Sequence, residues 1–219
     1  MKTDREIILE NIRRSLSGSR IEVVNDEALD NTINEKLNSI TPNDLIKQFK
    51  DELEKVNAEF IKLESTEEII SVLQKLFNEN NVKHIAVSED SEVQNIIESI
   101  EGIDVIQATE LRYPERKNEI SKIDAALVFA GNGIADIGSV VFYYDDTKTT
   151  YPHFLCDWTV VLLKASTIVA NQFELIKGID KEKAKNMVFV TGPSRTADIE
   201  KTLVLGAHGP RRVTVILIP

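Results

Sequence analysis

Residues 59–105 read EFIKLESTEEIISVLQKLFNENNVKHIAVSEDSEVQNIIESIEGIDV, and their pattern decides the fold class. Glu59-Phe60-Ile61-Lys62-Leu63 alternates as a short strand does. Ser65-Thr66-Glu67-Glu68 has the form of a capping box, and it opens a helix with the stripe Ile69, Val72, Leu73, Leu76 and Phe77. His84-Ile85-Ala86-Val87 is a second strand, a helix follows around Val93–Ile97, and Ile103–Val105 is a third strand. Strands that alternate with helices are joined by crossovers, and such connections favour a parallel sheet with helices on its faces.

Working outward, Thr41-Pro42 starts the folded domain: Thr41 caps a helix and Pro42 suits its first position. Leu45, Phe49, Leu53 and Val56 give that helix its stripe. Downstream, Ile123–Ala130 is a buried-type strand, and Ser139–Tyr144 follows it so closely that the two imply an antiparallel excursion. Trp158–Leu163, Asn186–Thr191 and Arg212–Ile218 are further strands. A helix is expected over about 170–177, and a short one between the last two strands. The expected fold is therefore α/β, a mostly parallel sheet flanked by helices with an antiparallel insertion. It occupies residues 42–219, behind an arm at 1–41. In the arm Ile8, Ile12 and Leu16 recur every fourth residue on a helix, Ser17-Gly18-Ser19 ends it, and residues 20–40 are polar and acidic. The apolar stripe suits docking on a partner or, in a homo-oligomer, on a second copy; a plain tether explains it as well.

The 219 residues carry 26 bases and 36 acids, a formal charge of −10, with 42% hydrophobic residues. That balance argues against a general nucleic-acid binder, which needs a basic face. No stretch approaches an apolar span of ~18 residues, so no membrane span is expected. The opening MKTDREIILENIRRSL has acids among its apolar positions, unlike a signal peptide. The single cysteine, Cys156, excludes an internal disulfide and a self-contained cysteine-ligated zinc or iron–sulfur site, which needs several thiolates. A cytoplasmic setting is the simplest one.

Three loops have the residues for chemistry. Thr191-Gly192-Pro193-Ser194-Arg195-Thr196-Ala197-Asp198-Ile199-Glu200 reads as a strand running into a helix. A helix start at the carboxyl end of a strand suits an anion. Gly192 lets the backbone come close, the hydroxyls of Thr191, Ser194 and Thr196 can donate, and Arg195 offers a fork for carboxylate or phosphate. Ordinary capping, with Asp198 in the first turn, accounts for the hydroxyls and acids but not for Gly-Pro and Arg together. Gly131–Ser139 holds Asp136 among three glycines; it is a candidate base or nucleophile, or an Asx-turn residue. In Ala207-His208-Gly209-Pro210 the histidine either ends a helix or carries protons. Lys148 and His153 lie in a loop able to line a pocket, and Arg211 and Arg212 add charge near the candidate anion site. The three histidines have no metal-ligand spacing, so no metal is expected. His84 at a strand start reads as structural, and Cys156 either as a nucleophile or as a half-buried structural residue.

TGPSRTADIE at 191–200, LGAHGPRRVTVILIP at 205–219 and GIADIGSVV at 133–141 together resemble the LUD domain of the lactate-utilisation protein C family. The resemblance implies a ribose-phosphate isomerase/coenzyme A transferase-like fold. It also implies a role in clusters of three proteins that oxidise L-lactate to pyruvate, in which partner subunits hold the iron–sulfur clusters and this chain holds no cofactor. Carried onto these positions, Thr191, Gly192, Ser194, Arg195, Thr196 and Asp198 would bind a small anionic ligand, while Asp136 and His208 would move protons; Lys148 and His153, in a stretch where relatives differ and often carry an Arg near Lys148, would add to the ligand's surroundings. Relatives usually carry Thr or Ser where this chain has Ile137. Two other classes fit the same residues: a non-catalytic ligand-sensing or assembly module, and, by fold analogy, a transferase or isomerase acting on coenzyme A thioesters or sugar phosphates.

Overall fold

The structure is a computed structural model and describes residues 3–16, 40–111, 117–144, 156–179, 186–197, 203–205 and 209–219. The chain divides into two compact units, Met1–Ser39 and Ile40–Pro219. In the first, helix α1 (Asp4–Leu16) is opened by a reciprocal pair of bonds: Thr3 N donates to Glu6 Oε2 at 2.8 Å, and Glu6 N to Thr3 Oγ1 at 3.4 Å. Its isoleucines at 7, 8 and 12 are exposed.

The second unit opens with α2 (Pro42–Lys55), where Thr41 and Asp44 form the expected cap by bonding each other's backbone N–H. Phe49 and Leu53 are its buried stripe. There follow β1 (Glu59–Lys62), α3 (Glu68–Glu79), β2 (His84–Val87), α4 (Ser91–Ile97), β3 (Asp104–Gln107), the short α5 (Lys117–Ile120) and β4 (Ala125–Ala130). The capping box expected at residues 65–68 is not formed. Glu67 already has helical backbone angles and makes no cap bond, and the Glu68 carboxylate reaches back instead to Glu64 N at 3.2 Å. The chain continues through β5 (Asn132–Ile134), β6 (Ser139–Tyr144), β7 (Trp158–Lys164), β8 (Ile168–Val169), α6 (Gln172–Gly178), β9 (Asn186–Val190), β10 (Arg195–Ala197), β11 (Leu203–Leu205) and β12 (Arg212–Ile218).

Six strands form one wholly parallel sheet in the order β1-β12-β7-β4-β2-β3. Its central strands are apolar on both faces because both are covered. Leu127, Val160, Leu162 and Ile216 pack under Leu73 and Phe77 of α3 and Val93 and Ile97 of α4. The opposite face, with Val128, Val161, Leu163, Val215 and Leu217, packs under Phe49 and Leu53 of α2 and Val140 and Phe142 of β6. The antiparallel pairing expected between the strands at 123–130 and 139–144 is not formed, because β4 stays in the parallel sheet. Instead β6 pairs antiparallel with β5 and β9 in a second sheet, β8-β5-β6-β9, whose β5 and β8 run parallel and which is laid over one face of the first. Leu175 of α6 covers its far side at Ile134 and Val141.

One element departs from expectation in a way that affects function. The segment after β9 does not enter a helix: residues 195–197 are strand β10, paired antiparallel with β11 so that Arg195 faces Leu205. The physical reason lies at the base. Ser194 N donates to Pro210 O at 2.8 Å, so residues 194 and 210 are held together and the chain between them must double back. Leu203-Val204-Leu205 gives the returning arm the β-forming residues that a helix reading overlooked. No helix start, and no helix dipole, stands at residues 195–197.

Candidate functional site

Two loops that the sequence singles out separately meet at the carboxyl end of α2. The first is the turn between β5 and β6. Ala135 N and Asp136 N donate to Val169 O and Ala170 O at 2.9 and 3.1 Å, which pins the turn to β8. Gly138 has φ +59° and lies so close to α2 that a Cβ would stand 2.4 Å from Leu53 N. Only glycine fits there, on conformation and on space alike. The second loop leaves β9. Gly192 has φ +74°, and a Cβ on it would lie 2.6 Å from Val56 Cγ2.

Two side chains tie these loops together. Arg195 Nη2 donates to Val56 O at 2.7 Å, which sets a positive charge at the carbonyl end of α2, where the helix dipole is negative. Ser139, fully buried, shares a 2.5 Å hydrogen bond between hydroxyls with the exposed Thr191. Asp136 is exposed, yet its carboxyl is held above the ordinary range. Partial loss of hydration is the main cause and the charge of Glu52 on α2 adds to it, while a bond from the residue's own backbone works against both.

The structure therefore brings Asp136, Thr191, Gly192, Ser194 and Arg195 to one end of α2. It places Thr196 in β10 opposite Val204. Lys148, His153, Asp198 and His208 lie outside the described residues. Sequence reasoning missed Glu52, which looks like any solvent-side helix position, the Val56 carbonyl, since Val56 was read only as part of the apolar stripe, and Ser139, whose only signal was the glycine before it. The anion reading loses its helix start, and one N–H of the Arg195 fork is committed to a backbone carbonyl. What remains is an exposed guanidinium, two linked hydroxyls and two carboxylates around a glycine-seated loop.

The other arginines have partners of their own. Arg212 grips Glu59 with two bonds of 2.8 Å, bonds Asn80 Oδ1 at 2.7 Å and lies 4.1 Å over the Trp158 ring. Thr214 Oγ1 donates to Glu59 at 2.6 Å and accepts from Trp158 Nε1 at 2.9 Å. Burial pushes the Glu59 carboxyl up, but the bonds from Arg212 and Thr214 outweigh it and hold it below the usual range. Arg211 stands 3.7 Å from Asp157. A shallow groove of about 530 Å³, lined in part by Lys122, Asp157 and both arginines, runs along this amino-terminal edge of the sheet. His84 lies between Asp104 and Asp124, at 3.5 and 3.7 Å, in a structural position at the start of β2. Burial lifts the Cys156 thiol to about 11, so it stays protonated and is no nucleophile at neutral pH. Among the described residues no group of three or more His, Cys, Asp or Glu is placed to hold a metal ion, and no helix is long and apolar enough to cross a membrane.

Comparison with known proteins adds what the geometry leaves open. The family model described as the LUD domain matches residues 46–218. Lactate utilization protein C 1 of Bacillus mycoides (strain KBAB4) is 27% identical over 190 residues, which cover 82% of this chain and 81% of the relative. Lactate utilization protein C of Bacillus pumilus (strain SAFR-032) is 25% identical over 193 residues, covering 82% and 80%. Among solved structures, a DUF162 family protein from Deinococcus radiodurans shares the fold. Its TM-score is 0.62 at 17% identity, over 82% of this chain and 99% of that one.

Proposed function

The chain belongs to the LUD domain family, and from that premise we propose that it is a lactate-utilisation protein: a cluster-free subunit or accessory of a complex that oxidises L-lactate to pyruvate. Two relatives that match 82% of the chain are named lactate utilization protein C, which supports the lactate part of this reading. The observation that carries the site assignment is the meeting of Arg195, Thr191 and Asp136 at the end of α2. A 2-hydroxy acid has a carboxylate at one end and a hydroxyl beside it. In this reading the guanidinium of Arg195 takes the carboxylate, the backbone at Gly192 and the hydroxyls of Thr191 and Ser194 surround it, and Asp136 receives the hydroxyl. A carboxyl held above its ordinary range is suited to accept that proton. His208, Lys148, His153 and Asp198 remain proposed contributors to the same pocket.

The redox centre of such a reaction belongs in partner proteins. One buried, protonated cysteine supplies no cluster. We place the chain in the cytoplasm with iron–sulfur partner subunits. Deleting the gene in a host with no second copy tests the role. Growth on L-lactate should stop, and unimpaired growth would end the lactate assignment. Asp136→Ala tests the site: unchanged binding and turnover would remove Asp136 from it.

A second reading, a non-catalytic assembly module, draws on one observation, the exposed Ile7, Ile8 and Ile12 on α1. These suit a partner or a second copy of the chain. Turnover of a 2-hydroxy acid by the purified chain alone would exclude this reading in its pure form.

A further inference from the structure

The bond between Ser139 and Thr191 has a direction that the burial of its two ends decides. Ser139 is 0% exposed, whereas Thr191 is exposed to solvent. Among the described residues, Thr191 Oγ1 is the one hydrogen-bond partner of Ser139 Oγ. A buried hydroxyl proton that lacks an acceptor is costly, whereas a solvent-facing one always finds water. The proton in the 2.5 Å bond therefore belongs to Ser139. Thr191 accepts it, and its own O–H is left to point outward. A hydroxyl that accepts one bond becomes a better donor of the next.

The geometry around the pair keeps it in register. Gly138, next to Ser139, and Gly192, next to Thr191, seat on consecutive turns of α2 at Leu53 and Val56. Arg195 ties the second loop to the same carbonyl end. The two backbones are thereby held at a distance from which the two hydroxyls reach each other.

We propose that Ser139 is a positioning residue that makes Thr191 a hydrogen-bond donor, so that the ligand presents an acceptor oxygen, a carboxylate or ketone oxygen, at Thr191. The proposal rests on the reading of residues 191–195 as the ligand site. It goes beyond that reading by fixing the chemical sense of one contact and by naming a residue the ligand never touches.

The test is a double-mutant cycle on the full chain, with pyruvate and L-lactate as probes in calorimetric titrations. Thr191→Val keeps the shape and removes the hydroxyl, and should weaken binding about tenfold, while Thr191→Ser should stay within about threefold of wild type. Ser139→Ala should weaken binding about three- to tenfold, and that loss should vanish in the Thr191→Val background, because its effect passes through Thr191. If Ser139→Ala is poorly folded, Ser139→Cys, a weaker donor at the same place, should give an intermediate loss. The proposal is overturned if Ser139→Ala binds as wild type does while Thr191→Val is weakened, or if its loss is the same in both backgrounds. If neither Thr191→Val nor Arg195→Ala alters affinity, or the wild-type chain binds neither probe, the site reading itself falls and takes the proposal with it.

Discussion

Arg195 Nη2 donates a 2.7 Å hydrogen bond to the carbonyl oxygen of Val56, the residue that closes α2. The bond links the loop after β9 to a helix 139 positions earlier in the chain, and it divides the duties of one side chain. A guanidinium has five N–H donors, so a carbonyl that takes one leaves a charged, oriented group for a carboxylate. Arg195→Ala is expected to weaken pyruvate or lactate binding by about 1.5–3 kcal/mol, the range for a charged hydrogen bond. Chain stability should fall by less, about 0.5–1.5 kcal/mol, since the lost partner is a single exposed carbonyl bond. Arg195→Lys should recover the charge but not the fork. Titration calorimetry and urea unfolding separate the two effects; equal affinities for wild type and Arg195→Ala would dismiss the site.

Gly138 and Gly102 separate strain from contact. Both have positive φ, +59° and +74°, but a Cβ on Gly138 would meet Leu53 N at 2.4 Å while one on Gly102 would meet nothing within 4 Å. Gly102→Ala should cost about 1 kcal/mol, the conformational penalty alone. Gly138→Ala adds overpacking against backbone that cannot yield, a further 1–3 kcal/mol or about that. Thermal unfolding of the two variants measures the difference directly. Equal shifts in midpoint would show that α2 does not hold the loop as tightly as the structure has it.

The same contacts explain what was legible in the sequence. The parallel sheet was written in strand runs such as His84–Val87 and Arg212–Ile218, whose bounds the structure keeps, because a strand buried on both faces has no freedom in composition. The helix cap at Thr41, with Pro42 after it, was legible too, since it is local; the structure adds Asp44 as its reciprocal partner. The helix expected after Arg195 was misread because its evidence was local, a Ser, a Thr and two acids. What decides the matter is a long-range bond from Ser194 to Pro210. For the same reason the roles of Glu52 and of the Val56 carbonyl were invisible: they come from loops that pack on α2 from far along the chain. Gly138 and Gly192 were legible as backbone that approaches something closely, and the structure seats them on α2 at Leu53 and Val56.

Glu59 and Arg212 predict how acid acts on the fold. Bonds from Arg212 and Thr214 hold the Glu59 carboxyl below its usual range despite burial that pushes it up. A carboxyl depressed in the folded state adds stability above its unfolded pKa, and that contribution is lost as pH falls through the folded value. Urea unfolding of wild type should therefore weaken as pH drops below about 4.3, the ordinary glutamate value. Glu59→Gln should be less stable at neutral pH and show a flatter fall. Arg212→Ala also loses the stacking on Trp158, and should cost about 1–3 kcal/mol, discounted for a pair that is still partly in water. A Glu59→Gln chain with the same pH profile as wild type would contradict the assignment.

Cys156 should be chemically silent while the chain is folded. It is 4% exposed, its thiol donates to Trp158 O at 3.2 Å, and burial raises it to about 11. Only the thiolate reacts. Alkylation at pH 7.5 should be slow for the native chain and fast in denaturant. Rapid labelling of the native chain would place the thiol at the surface and reopen the nucleophile reading.

Asp136 and Glu52 give the sharpest electrostatic test, since one stands in the turn between β5 and β6 and the other on α2. The Asp136 carboxyl stands above its ordinary value, chiefly through lost hydration and secondly through the charge on Glu52. An acid raised in the folded state penalises folding once it ionises. The penalty is absent below the unfolded pKa, grows between the unfolded and folded values, and stays constant above them. Asp136→Asn should thus leave stability unchanged in acid and raise it slightly at neutral pH. Glu52→Gln removes the smaller cause only, so the Asp136 carboxyl should titrate lower than in wild type yet remain above an ordinary aspartate. Carbon-detected NMR titration of the Asp136 side chain in both chains reads this shift. If Glu52→Gln leaves the titration where it was, the two carboxylates do not sense each other. The end of α2 would then be a support for the loops and not a part of the site.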